Sequence, residues 1–148
     1  MAGVCVLVWL AALSVYDVRA RRLPNWLTMP GAVVILAAAA AHGRGVPAVV
    51  GAVALFAVYA VVHLASPTAM GAGDVKLAIG IGALTASFGS DVWLLAALGA
   101  PLLTAGWAVV SVMRRSEQTV PHGPSMCVAA VVATALACLL YTSDAADE

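Results

Sequence analysis

Six apolar blocks separated by short polar connections constrain this chain more than any other feature. They run from about Gly3 to Tyr16, Leu27 to Ala41, Ala48 to Ala65, Asp74 to Phe88, Val92 to Met113, and from Ser125 onward. A helix needs roughly 20 apolar residues to cross the hydrocarbon core of a bilayer, so blocks near or somewhat below that length read as membrane spans. Composition agrees, with 64% of the 148 residues hydrophobic and 9% charged, against about 45–50% and about 25% in soluble domains. The expected fold is all-α, a polytopic membrane bundle of about six transmembrane helices forming one domain. Pro101 falls inside the fifth block and is expected to kink it. Such a chain works in or at the bilayer, and no nucleic-acid partner is expected.

The placement of charge orients the bundle. A signal peptide carries its basic residues before the apolar stretch, whereas Arg19, Arg21 and Arg22 follow the first block. That order favours an uncleaved span with its N-terminus outside. With six spans, the cytoplasmic connections and helix edges then hold Arg19, Arg21, Arg22, Lys76, Arg114 and Arg115, and the outer ones only Arg44. Basic residues concentrate on the cytoplasmic side of membrane proteins, and the reverse orientation inverts the bias.

The last residues stand apart. Cys138 to Glu148 reads CLLYTSDAADE, which resembles a translated transposon adapter from sequencing-library preparation. Residues 1–137 are therefore expected to form the membrane domain and 138–148 a non-native tail, excluded from fold reasoning. The remaining acids are Asp17, Asp74, Asp91 and Glu117, which leave a net charge of +3. Cys5, Cys127 and Cys138 form no CxxC pair and read as neither a disulfide framework nor a zinc site. His42 belongs to an outer connection, and His63 and His122 lie near the inner face, too few to make a ligand set. No metal is expected. His63 is read as bonded to a loop group near the end of the third helix.

Two of the acids are informative. Asp17 falls at the cytoplasmic end of the first span and Asp74 at the cytoplasmic start of the fourth, at similar depth on one face. An ionisable group near the hydrocarbon boundary is costly and calls for a partner, and each is the natural partner of the other. Two carboxylates sharing a site hold one proton between them more easily than none. One can then take a proton from water while the other donates to a peptide carbonyl or leaving amine. Structural alternatives remain open: Asp17 can pair with Arg19 or Arg21, and Asp74 can cap the fourth helix. Asp91 reads as a cap of the fifth helix, and Glu117 as a solvated residue beside Arg114 and Arg115.

Met70-Gly71-Ala72-Gly73-Asp74 sets two glycines before the second acid, where they permit close backbone approach. Lys76 lies off the face of Asp74 on a helix and is placed to snorkel toward the interface.

Three segments in register carry a family resemblance. Asp17-Val18-Arg19-Ala20-Arg21-Arg22-Leu23-Pro24-Asn25 resembles the first aspartate motif of the type IV prepilin peptidases. Gly71-Ala72-Gly73-Asp74-Val75-Lys76-Leu77 resembles their GxGD motif, and Pro121-His122-Gly123-Pro124 the proline-glycine-proline segment that opens the last helix. His122 stands where an aromatic residue is more usual. The resemblance implies an aspartic endopeptidase of the bacterial cytoplasmic (inner) membrane, without cofactor, that removes the leader of prepilin-like membrane proteins at the cytoplasmic face. Asp17 and Asp74 carry over as catalytic residues, with Gly71, Gly73, Pro24, Asn25 and Lys76 as substrate-contacting positions. The larger members carry paired CxxC motifs and also methylate the new N-terminus; the compact form resembles the enzymes of tight-adherence (Flp-type) pilus systems and implies hydrolysis without methyl transfer. Two other readings are a non-catalytic membrane protein of pilus assembly and a small transporter using the aspartates as an ion site. Transporters place their acids nearer the midplane, often with internal repeats, and neither feature is evident here.

Overall fold

A computed structural model describes residues 2–67, 70–114 and 122–144. The expectations for Arg115, Glu117 and Pro121 lie outside the described residues. The described chain is all-helical: α1 (Ala2–Ala20), α2 (Asn25–Ala41), α3 (Gly45–Ala65), α4 (Ala72–Ala86), α5 (Ser90–Met113) and α6 (His122–Asp144). Helices α1, α3, α5 and α6 are long and apolar enough to cross a membrane. Helices α2 and α4, at 17 and 15 residues, are shorter. At 1.5 Å per residue α4 extends about 22 Å. The chain is a multi-pass α-helical membrane protein.

Helix α4 is short because it is the centre. It touches α2, α3, α5 and α6, and nine of its 15 residues are buried. Its Val75, Leu77 and Ile81 meet Leu13 of α1, Leu55 of α3 and Met126 of α6 in the main core. The surrounding helices turn large apolar residues outward, among them Val46, Leu102 and Val112. In water such a surface would associate; in lipid it is the solvent-facing side.

Glycines let the helices close on α4. At the crossing of α3 and α4, a Cβ on Gly51 would collide with Ala86, and one on Gly82 with the Gly51 carbonyl. The backbones therefore touch directly, as small residues permit in membrane bundles. The Trp93 indole of α5 donates to that same Gly51 carbonyl at 3.1 Å. On the other flank, Trp9 of α1 is wedged between Gly31 of α2 and Gly80 of α4 and donates to the Leu27 carbonyl at 2.9 Å.

Helix α1 continues past Asp17, so that acid sits one turn inside the helix. The helix stops at Arg21, whose φ of 52° is left-handed and whose N–H bonds the Asp17 carbonyl at 2.9 Å. This is the αL termination usually made by glycine. Asp91 does not occupy the cap of α5: Gly89 does, at φ 134°, and Asp91 lies in the first turn, where a negative charge still favours the helix dipole. Pro101 lies inside α5, as its place in the fifth block implied.

Candidate active site

The ends of α1, α3 and α5 and the starts of α2, α4 and α6 meet at one end of the bundle, and both predicted acids lie there. Asp17 and Asp74 are each only 8% exposed. The charge of Asp17 bears directly on Asp74, and Cys127 of α6 feels both carboxylates. Each acid lies at the N-terminal end of a helix beside a glycine. Asp17 Oδ2 accepts the Gly123 N–H at 3.1 Å, and the Asp74 carboxylate lies against the Gly71 backbone.

Local chemistry explains both arrangements. The first four N–H groups of a helix lack intrahelical partners, and a carboxylate there meets the positive end of the helix dipole. Gly71 is the N-cap of α4, so Asp74 is its third residue and reaches back like the acidic arm of a capping box. The expected alternative of Asp74 as the cap of the fourth helix is therefore corrected: Gly71 holds the cap position and Asp74 lies in the first turn. Asp17 meets the start of α6 across the bundle. A Cβ at residue 123 would stand 2.6 Å from Asp17 Oδ2, which is why only glycine fits. Arg21, also read from the sequence as a partner of Asp17, is close enough for its charge to act on that carboxylate.

The remaining predicted positions divide. Lys76 Nζ donates to Asn25 Oδ1 at 2.9 Å, which ties α4 to α2 at the mouth of the site. Pro24 is the N-cap of α2; its carbonyl accepts the N–H groups of Leu27 and Thr28. Gly73 is a packing glycine, since a Cβ there would press on Leu23 at 3.1 Å. Gly71 is exposed, with an extended backbone at φ −74° and ψ 147°. His63 bonds the Met70 carbonyl through Nδ1 at 2.8 Å, the loop contact expected of it, and steadies the approach to Gly71.

Sequence reasoning passed over Tyr59 and Thr104, which flank this end of the bundle. Tyr59 is buried and close enough to Asp74 to sense its charge. Both bond His122, the first residue of α6. A polar side chain isolated in an apolar span is the signal that could have marked them. Among the described residues, no three His, Cys, Asp or Glu side chains gather as a metal site. A separate apolar cavity of about 680 Å³ opens at the opposite helix ends, near Gly3, His42, Ser87 and Cys138, away from the carboxylates.

An all-helical membrane bundle with two buried carboxylates at one end defines the class of protein. The model of the type IV leader peptidase family matches residues 4–143, and the chain belongs to that family. It is accordingly a membrane peptidase of the leader-processing kind. No curated protein and no solved structure matches it significantly.

Proposed function

We propose that this chain is an aspartic endopeptidase that cleaves the leader of prepilin-like proteins at the cytoplasmic face of the bacterial inner membrane, with Asp17 and Asp74 as its catalytic pair. The observation that carries the reading is the convergence of two buried carboxylates from α1 and α4 at one end of the bundle, Asp17 being anchored through the Gly123 N–H. With one proton shared, the ionised acid takes a proton from water as the oxygen attacks the scissile carbonyl. The protonated acid donates to the carbonyl oxygen, and the tetrahedral species collapses as a proton passes to the leaving amine. No covalent enzyme intermediate is needed. The Gly123–Asp17 bond and the burial of both acids fix the carboxylates in place before substrate arrives, so little reorganisation remains for the reaction itself.

Gly71 is exposed and extended, a geometry suited to pairing with an extended substrate backbone. Asn25 and Lys76, joined at the mouth, with Pro24 beside them, are positioned to meet the flanking residues of the leader; Gly73 supports the loop. The basic residues at this end, Arg19, Arg21, Arg22, Lys76 and Arg114, support a cytoplasmic placement. Hydrolysis without methyl transfer belongs to the same reading, on the resemblance to the compact enzymes of tight-adherence pilus systems.

The test is co-expression with candidate prepilin-like substrates, comparing the wild-type chain with Asp17→Asn and Asp74→Asn. The wild type is expected to shift substrate mobility, and either substitution to lower the rate by at least about 10³-fold, as loss of one member of a concerted catalytic unit does. Processing that survives either change would remove the dyad mechanism. A folded, inserted wild type that processes nothing would favour a non-catalytic assembly role or an ion site.

A further inference from the structure

We infer that His122 is a positioning residue: clamped between Tyr59 of α3 and Thr104 of α5, it fixes the first turn of α6 so that the Gly123 N–H stays aimed at Asp17. Both ring nitrogens are engaged. Nδ1 lies 2.7 Å from Thr104 Oγ1, and Nε2 lies 3.0 Å from the Tyr59 hydroxyl. The Tyr59 and His122 rings also pack, with centroids 5.6 Å apart.

Hydrogen counting sets the direction of these bonds. Thr104 Oγ1 has one hydrogen, and it goes to the Ala100 carbonyl at 3.0 Å. Oγ1 must therefore accept from His122, so Nδ1 carries the proton. In the neutral ring Nε2 is then an acceptor, and Tyr59 donates to it. Every polar atom of the clamp has a partner, the condition under which a buried network specifies one geometry.

The consequence falls on the adjacent residue. Consecutive Cα atoms are 3.8 Å apart, so a ring locked between two helices at 122 leaves the amide of 123 little freedom. That amide is the one bonded to Asp17. Helix α6 thus starts at a point defined by α3 and α5, and delivers its donor to an acid on α1. An aromatic side chain at 122 could fill the same space but could not accept from Tyr59 and donate to Thr104 together.

The kinetic part of the test rests on the peptidase reading; the spectroscopic part does not. Thr104→Val and Tyr59→Phe each remove one hydroxyl with little change of shape. Each is expected to lower kcat roughly 10- to 100-fold, the scale of a small misplacement of a catalytic group, with KM little changed. Thr104→Ser is expected to recover most of the lost kcat. Unfolding in detergent, followed in parallel, identifies any variant that has simply lost its fold. Nitrogen NMR of 15N-histidine-labelled protein, with His122 assigned through His122→Gln, should show the Nδ1–H form in the wild type and in Thr104→Ser but not in Thr104→Val. Folded Thr104→Val and Tyr59→Phe proteins with wild-type kcat would overturn the inference, as would an Nε2–H tautomer at His122 or failure of Thr104→Ser to recover activity. A wild type with the Nδ1–H signature but no cleavage would leave the clamp standing and remove the peptidase reading instead.

Discussion

Two glycines at the site have opposite reasons to be there. A Cβ on Gly123 would lie 2.6 Å from Asp17 Oδ2, so Gly123→Ala must displace either the acid or the start of α6. We expect kcat to fall about 10²-fold, read in a steady-state cleavage assay. At Gly71 a Cβ would stand 3.5 Å from Asp74 Oδ2, an ordinary contact, and its φ of −74° suits any residue. Gly71→Ala should leave the protein folded and raise KM with kcat little changed, the signature of lost uniform binding. An equal loss in kcat would instead mean that the added methyl disturbs Asp74, which lies 3.5 Å from it. The proposed dyad predicts a bell-shaped dependence of rate on pH, because in that mechanism only the singly protonated pair is competent. A rate that rises to a plateau with no second limb would point to a single titrating acid.

Among the helices, small residues act in two ways that position alone does not reveal. Gly82 lies against the Gly51 backbone, whereas Gly106 has nothing within 4 Å of where its Cβ would be. Gly82→Val should overpack the α3–α4 crossing and cost about 1–3 kcal/mol. Gly106→Ala should stabilise α5 by about 0.5–1 kcal/mol through lower backbone entropy in the unfolded chain. Unfolding midpoints in detergent would move in opposite directions; a parallel shift would mean that the α3–α4 backbone contact does not limit stability. The wedge of Trp9 between Gly31 and Gly80 belongs to the same level of structure, beside Leu10 and Leu13, which carry α1 into the core.

For the molecule as a whole, the aspartate end holds Arg19, Arg21, Arg22, Lys76 and Arg114 among the described residues, and Arg44 lies at the other end, bonded to the Ser87 carbonyl at 2.8 Å. The proposed orientation puts the first group in the cytoplasm. In a chain with Cys5, Cys127 and Cys138 replaced, an impermeant maleimide added to intact cells should label His42→Cys and spare Arg22→Cys. The reverse pattern would put the carboxylates outside and remove the proposed site of cleavage. The low exposure of α4 follows from the same arrangement: a helix of about 22 Å tolerates its length because other helices, rather than lipid, surround it.

The apolar blocks, the bias of basic residues and the placement of two acids at one end were legible in the sequence because each is a one-dimensional property: segment length, loop charge, and position relative to a block edge. The three motifs made the family legible as well. The faces of the helices were not, because Leu77 in the core and Leu102 on the surface are equally apolar when the solvent is lipid, and periodicity then carries no signal. Nor did residue type distinguish Gly73, which admits Leu23, from Gly71, which stands open. The Gly123–Asp17 bond joins residues 106 positions apart, and the Tyr59–His122 bond residues 63 apart. Such pairings depend on which helix faces which, and that is settled by how small and large side chains fit around α4, a property of the packed bundle and of no single segment.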